Sequence, residues 1–391
     1  SYETKLRGTV GSRTSEADAR GHLKGIVQEE RPVDGQDVTL TLDLRLQKIA
    51  EQTLQDELTK LKLNRGAVIA MDPRNGDILA MVSLPAYDNN AFSGGVSSTV
   101  YRALSSDEGQ PLFNRAIAGI YPSGSTVKIV VSTAALMEKV ISDKTTIVST
   151  GGIRLGQWFF PDWKPGGHGV TDVRKAIAWS VNTFFYLMGG GGQQGIAGMG
   201  PEALSRWMKT FGLGKKAGID IPGESAGFVP TPAWKQDVRK EPWYIGDTYN
   251  LSIGQGDLLV TPLQVARYTA AIANGGTLVT PRLAEDTPVQ ISKPLADASA
   301  VEMVRLGMRD AVVYGSARSL SILSFTSGAK TGTAQWSKTK NTHAWFTSFA
   351  PFESPEIVVT VLVDEGGEGS SVAAPVAKKI LQAWNELRKG I

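Results

Sequence analysis

Apolar positions along the chain change their period several times, and each change predicts an element. From Asp43 onward Leu44, Ile49, Leu54 and Leu58 recur at roughly helical spacing, which predicts an amphipathic helix capped by Asp43 and ending near Leu63. Two strand-like runs follow, Gly66 to Asp72 and Asp77 to Ser83, joined by Pro73-Arg74-Asn75-Gly76, whose Asn-Gly pair predicts a hairpin turn. Thr126 to Ile141 runs without Gly or Pro and is mostly Val, Ile, Ala, Leu or Met, the pattern of a helix buried on nearly all sides. Thr171 to Leu187 and Pro201 to Phe211 are helical in pattern too. Near the end, Lys330 to Gln335 and Ala344 to Phe349 predict a second hairpin over the polar loop Ser337 to Asn341. Ile357 to Val363 then reads as a strand and Ala374 to Leu387 as a closing helix. Strands at the two sequence ends with helices between them predict an α+β domain whose sheet is assembled from distant segments.

Residues 1 to 42 are rich in Gly, Thr, Asp and Arg, with a strand-like fragment at Gln36 to Leu42. With the helix that follows they form an N-terminal unit, 1–63, ahead of a main domain, 64–391. Gly189 to Gly192 and Gly195 break the chain after the Thr171–Leu187 helix. No Gly-Lys-Ser/Thr string follows them, so they read as a loop rather than a phosphate cradle.

Bulk properties narrow the function classes. The chain has 391 residues, of which 41% are hydrophobic and 20% charged, an ordinary globular balance with room for a large core. A formal charge of +3 and the lack of any basic run argue against a nucleic-acid partner or a dedicated membrane-surface patch. No cysteine is present, which removes disulfides, thiolate metal sites and cysteine nucleophiles. No run reaches the roughly 18 apolar residues of a membrane span, and no signal peptide opens the chain.

Three short strings carry the candidate chemistry: Ser125-Thr126-Val127-Lys128, Ser180-Val181-Asn182 and Lys330-Thr331-Gly332. Ser-x-x-Lys also occurs at Ser327 to Lys330 and Ser337 to Lys340, but only Ser125 opens a long helical run. Residues three apart on a helix share a face, so the Lys128 amine can reach the Ser125 hydroxyl. Burial disfavours an ammonium and lowers its pKa, as an amine needs if it is to take a proton near neutrality. The other two strings occur once each, 55 and 205 residues after the first. A Ser with an Asn carboxamide can pass a proton and hold an amide. On a strand Thr331 and Thr333 point to one face and offer two hydroxyls to a carboxylate. Gly332 has no Cβ, so a substrate chain can lie against the strand there.

This ordered set resembles the penicillin-recognising serine acyltransferases. Asn114-Arg115-Ala116-Ile117, Leu251 to Asp257 with Thr261-Pro262-Leu263-Gln264, and His343-Ala344-Trp345-Phe346 extend the likeness to class B penicillin-binding proteins over nearly the whole chain. Asp162 to Gly169 and Trp234 to Thr248 are more similar to the elongation-type branch than to the division-type branch. The resemblance implies an antiparallel sheet of about five strands flanked by helices, an all-helical subdomain, and residues 1–63 as the remnant of a pedestal. It implies a D,D-transpeptidase that cross-links peptidoglycan stem peptides and is a target of β-lactam antibiotics. Ser125 is then the nucleophile, Lys128 its base, and Ser180 and Lys330 a proton relay. Asn182 holds the substrate amide, Thr331 and Thr333 its carboxylate, with Gly332 between them, and the backbone N–H groups of Ser125 and Thr333 hold the oxyanion. No cofactor is called for. An N-terminal membrane anchor, a periplasmic catalytic domain and a membrane glycosyltransferase partner of the shape-and-division type are further implications, and this chain is then expected to be a soluble truncation. Ser123 stands where relatives usually have Pro.

Rival sites are weaker. Gly223-Glu224-Ser225-Ala226-Gly227 matches a nucleophile elbow, yet Pro230 and Pro232 forbid the helix that must follow, so a surface turn is expected. The only histidines are His22, His168 and His343. His343 reads as structural. Asp162 and His168 resemble a zinc-holding segment of some elongation-type relatives, but Val181 replaces the cysteine ligand, so no metal is expected. A serine β-lactamase shares the three strings; the Glu-x-x-x-Asn string by which class A enzymes hydrolyse the acyl group does not occur between the second and third. A β-lactam sensor of the same fold is the other alternative.

Overall fold

The computed structural model describes residues 2–390. The chain opens with a single helical turn, α1 (Glu3–Leu6), and an antiparallel pair, β1 (Ser12–Ala17) and β2 (Leu23–Glu30), every residue of which is exposed. The strand expected over Gln36 to Leu42 is not there. Leu40 forms only an isolated bridge to Ala284, and the real strands lie upstream, where full exposure leaves no burial pattern to detect.

Helix α2 (Leu44–Leu61) begins where Asp43 accepts hydrogen bonds from the Arg45 and Leu46 N–H groups. The hairpin β3 (Gly66–Met71) and β4 (Ile78–Leu84) follows, turned by Asn75-Gly76 with Gly76 at φ +85°. Then come α3 (Ser98–Ser106), a 3-10 turn at Gly124–Val127 and α4 (Lys128–Met137). Short strands β5 (Ile147–Ser149) and β8 (Gly169–Thr171) pair, as do β6 (Gly152–Leu155) and β7 (Trp158–Pro161). The helical half continues through α5 (Val173–Trp179), α6 (Asn182–Gly190), α7 (Gly200–Thr210), the single turn α8 (Pro232–Trp234), α9 (Ile245–Ser252) and α10 (Pro262–Ala273). After a small pair, β9 (Thr277–Val279) and β10 (Ile291–Pro294), comes α11 (Ala298–Val313). The chain closes with β11 (Gly328–Ala334), β12 (His343–Ala350), β13 (Ile357–Val363) and α12 (Ala373–Arg388). Among the described residues no helix is long and apolar enough to cross a membrane.

Five strands form one fully antiparallel sheet in the order β11-β12-β13-β3-β4, so strands from both sequence ends do meet. Its two faces are divided by the two-residue alternation of strand side chains. Val68, Ala70, Phe346, Val359 and Val361 point to one face, where Leu46, Leu54 and Leu58 of α2 and Ile380 and Leu381 of α12 cover them. Ala67, Ile69, Met71, Trp345 and Phe349 point to the other, toward α4 and α10. Helix α2, which the expected 63/64 boundary leaves with the N-terminal segment, thus shares a core with the sheet. β11 is an edge strand, and its unpaired side opens toward the helical half.

The covering role of α2 has a direct test. Leu54 is fully buried against β3, so Leu54→Ala should lower unfolding free energy by about 2–5 kcal/mol. Urea denaturation would show a fallen midpoint with an unchanged slope; a loss below about 0.5 kcal/mol would mean that α2 is peripheral.

Candidate active site

The 3-10 turn at Gly124–Val127 presents Ser125. At three residues per turn, positions i and i+3 eclipse, so Ser125 and Lys128 stack on one face as α4 begins. Three close approaches hold this turn. The Gly124 N–H donates to Gly254 O at 2.9 Å, Trp345 Nε1 donates to Pro122 O at 2.9 Å, and the Thr126 hydroxyl pairs with Tyr268 Oη at 2.7 Å. Gly124 lies at φ +50°, and a Cβ there would come within 2.7 Å of Thr333 O. A Cβ on Gly254 would come within 2.0 Å of Gly124 O.

Lys128 has no exposed surface. Its Nζ donates to Ser180 O at 2.9 Å, Ser180 Oγ at 3.2 Å and Asn182 Oδ1 at 2.6 Å, and lies 4.9 Å from the centre of the Phe185 ring. The expected hydrogen bond to Ser125 is not among these. All three donors of the ammonium are taken up by the second string. Burial lowers the Lys128 pKa to about 7, while the Asp162 carboxylate pulls the other way.

The helix expected over Thr171 to Leu187 is in fact two, α5 and α6, broken at Ser180. Ser180 sits at φ +57°, a left-handed conformation that is uncommon for a non-glycine residue. The break turns the Ser180 carbonyl and hydroxyl onto Lys128 and restarts the helix at Asn182. Asp162 stabilises the restart: its carboxylate accepts from Asn182 N at 3.2 Å, Thr183 N at 3.0 Å, Thr183 Oγ1 at 2.8 Å and Ser149 Oγ at 3.3 Å. No local motif signals this cap, because its acceptor lies 20 residues upstream. His168 Nε2 lies 3.8 Å from Asp162, and burial holds its pKa down. With Asp162 committed to the helix end and Val181 buried and apolar, these residues do not fit a tetrahedral metal site.

The third string lies on β11. Thr331 and Thr333 face the cleft, with the Thr331 hydroxyl 3.0 Å from Ser316 Oγ and the Thr333 hydroxyl donating to Glu368 Oε2 at 2.9 Å. Lys330 is fully buried on the opposite face and donates to Thr331 O at 2.9 Å. Burial, and then the nearby Lys128, lower its pKa well below the ordinary lysine value. Gly332 corrects an expectation. Its missing Cβ would meet Thr126 Cγ2 and Trp345 Cβ, each at 2.9 Å, so the glycine lets β11 lie against the Ser125 turn rather than admitting a substrate. Ser125, Ser180, Asn182, Thr331 and Thr333 together line one cleft of about 810 Å³. Glu368 and Ser316 also line it, and neither was singled out from the sequence.

The other candidates lie elsewhere in kind. Ser327 precedes β11 and Ser337 sits in the exposed loop after it, so neither of their Ser-x-x-Lys strings opens a helix. Gly223 to Gly227 is a turn without a following helix. Glu224 in it is buried, its carboxylate accepting from the Ala217 and Gly218 N–H groups, so the turn is pinned inward instead of lying free on the surface. His343 belongs to β12 and pairs with Asp364 at 2.8 Å, a structural role.

Comparison with known proteins adds independent information. The family described as penicillin binding protein transpeptidase domain matches residues 66–382. The peptidoglycan D,D-transpeptidase MrdA of Haemophilus influenzae is 38% identical over 98% of this chain and 61% of its own length, so the chain spans about three fifths of that relative. Two solved structures superpose closely. Helicobacter pylori PBP2 in complex with MreC has a TM-score of 0.89 at 34% identity, covering 98% of this chain and 71% of that one. Pseudomonas aeruginosa PBP2 in complex with WCK 5153 has a TM-score of 0.84 at 35% identity, covering 98% and 80%.

The packing role of Gly332 can be checked without any ligand. Gly332→Ala should cost about 1–3 kcal/mol of unfolding free energy through overpacking against Thr126 and Trp345. Thermal unfolding reads this directly; a variant of unchanged stability would return Gly332 to a substrate-facing role.

Proposed function

This chain belongs to the penicillin-binding protein transpeptidase family, and from that premise we propose that it is a serine D,D-transpeptidase that cross-links peptidoglycan stem peptides and is acylated by β-lactams. The observation that carries the reading is convergence: three strings, 55 and 205 residues apart in sequence, line one cleft around a lysine whose pKa lies at about 7.

Each group has a role that its surroundings support. Ser125 Oγ attacks the carbonyl of the penultimate D-Ala while its proton passes to Lys128. A neutral Lys128 keeps two N–H bonds, which Ser180 O and Asn182 Oδ1 can accept, and directs its lone pair toward a hydroxyl. The tetrahedral oxyanion lies against the backbone N–H groups of Ser125 and Thr333, each worth about 10² to 10³ in rate. Collapse breaks the C–N bond, and the departing D-Ala nitrogen takes a proton through Ser180, the relay for which Lys330 is the proposed further member. Asn182 holds the substrate amide, and Thr331 and Thr333 hold its carboxylate. β11 is an edge strand, so an extended peptide can lie along it as a further strand. An amine of a neighbouring stem peptide then attacks the Ser125 ester, releasing the serine and forming the cross-link. An N-terminal membrane anchor, a periplasmic setting and a membrane glycosyltransferase partner complete the proposal.

Labelled penicillin tests it. Intact mass should show one slowly decaying adduct on the native chain and none on Ser125→Ala, whereas Lys128→Ala should fold yet fail to acylate. An adduct that persists in Ser125→Ala refutes the assignment, and turnover within seconds indicates a β-lactamase instead. The acylation rate should also depend on pH. A base with pKa about 7 is protonated and idle below that value and free above it, so the rate should climb as pH passes through about 7 and then level off. A flat profile from pH 6 to 8 would remove Lys128 from the role of base.

A further inference from the structure

The cleft carries one charged side chain among the residues that line it, and that residue is a carboxylate, Glu368. It sits between β13 and α12 and accepts the Thr333 hydroxyl at 2.9 Å. Thr333 is one of the two hydroxyls proposed above to hold the substrate carboxylate, and the inference rests on that reading. Glu368 thus places on the β11 hydroxyl face the same chemical group that a donor peptide or a penicillin would bring there.

The backbone around Glu368 is held on both sides. Gly367 exchanges hydrogen bonds with Thr342, its N–H donating to Thr342 O at 2.8 Å and its O accepting from Thr342 Oγ1 at 2.9 Å. Gly369 lies flat on β11 and β12, where a Cβ would come within 2.3 Å of Gly332 O and 2.2 Å of Trp345 O. The Glu368 carbonyl accepts from Val372 N at 3.0 Å as the chain approaches α12. With the main chain fixed, what can leave Thr333 is the exposed side chain, by rotation about its own bonds.

We propose that Glu368 is a specificity-determining residue: its carboxylate competes with the ligand carboxylate for Thr333, so a carboxylate ligand binds only by displacing it and then lies beside a like charge. The like-charge part of that cost falls on anionic ligands alone. A neutral ligand meets no charge repulsion from Glu368.

The experiment compares benzylpenicillin with its neutral methyl ester, reading the second-order rate of Ser125 acylation for the native chain and for Glu368→Gln. Glutamine can still accept the Thr333 hydroxyl but carries no charge. The variant should react about fivefold faster with the anionic penicillin, the factor by which like unit charges about 4 Å apart in a water-like dielectric disfavour each other. Its rate with the ester should stay within about twofold, and the gain with the anion should shrink as salt screens the pair. Equal changes for the two ligands, or a fall for the anionic one, would overturn the inference and make Glu368 a structural or ligand-supporting residue. Failure of the native chain to acylate at Ser125 would instead overturn the transpeptidase reading, so the two failures are distinguishable.

Discussion

Taking the Lys128 amine out of water is the constraint on which the rest of the site depends. A lysine without solvent loses most of the stabilisation of its charged form, and it is tolerated only where acceptors replace water. Here those acceptors come from a single interruption, Ser180 in a left-handed conformation between α5 and α6, which turns a carbonyl, a hydroxyl and a carboxamide onto one nitrogen. Asp162 then holds the restarted helix and supplies the one opposite charge that acts on Lys128. Lys330, equally buried nearby, is a second amine whose pKa is lowered first by burial and then by Lys128. Burial therefore disfavours the charged form of both amines, and at Lys128 it is the one influence that lowers the pKa.

Geometry does for Ser125 what burial does for Lys128. The turn that carries the serine is pressed between β11 and the Gly254 loop so closely that Gly124, Gly254 and Gly332 have no space for a methyl group. Close packing of backbone against backbone leaves the turn few alternative positions. The sheet contributes by leaving β11 at its edge, where a two-residue alternation sends Thr331 and Thr333 to the cleft and Lys330 inward.

The parts of this arrangement that are local could be read from the chain. Asn75-Gly76 placed the first hairpin, the strand at Ile357–Val363 agrees at both ends, and Asp43 marked the start of α2. The three strings, with Thr333 directly after the last, contain Ser125, Ser180, Asn182, Thr331 and Thr333, which line the cleft, and Lys128, Lys330 and Gly332, which lie behind it. What escaped depends on partners far away. Ser180 carries no Gly or Pro to announce a helix break; the break follows from Lys128, 52 residues earlier, and from Asp162. Gly332 looked like a gap for a substrate because the neighbour that needs the gap, Thr126, is remote in sequence. The exposed β1–β2 pair showed no alternation because neither of its faces is buried. Glu368 had only its flanking glycines to mark it.

Burial is what should make Lys128, an ordinary lysine side chain, a base near neutral pH. Heteronuclear NMR of the protein with isotope-labelled lysine, the Lys128 signal assigned by its loss in Lys128→Met, measures this directly. The Lys128 side-chain resonance should titrate with a midpoint at about 7. A midpoint near the ordinary lysine value of about 10.4 would contradict it.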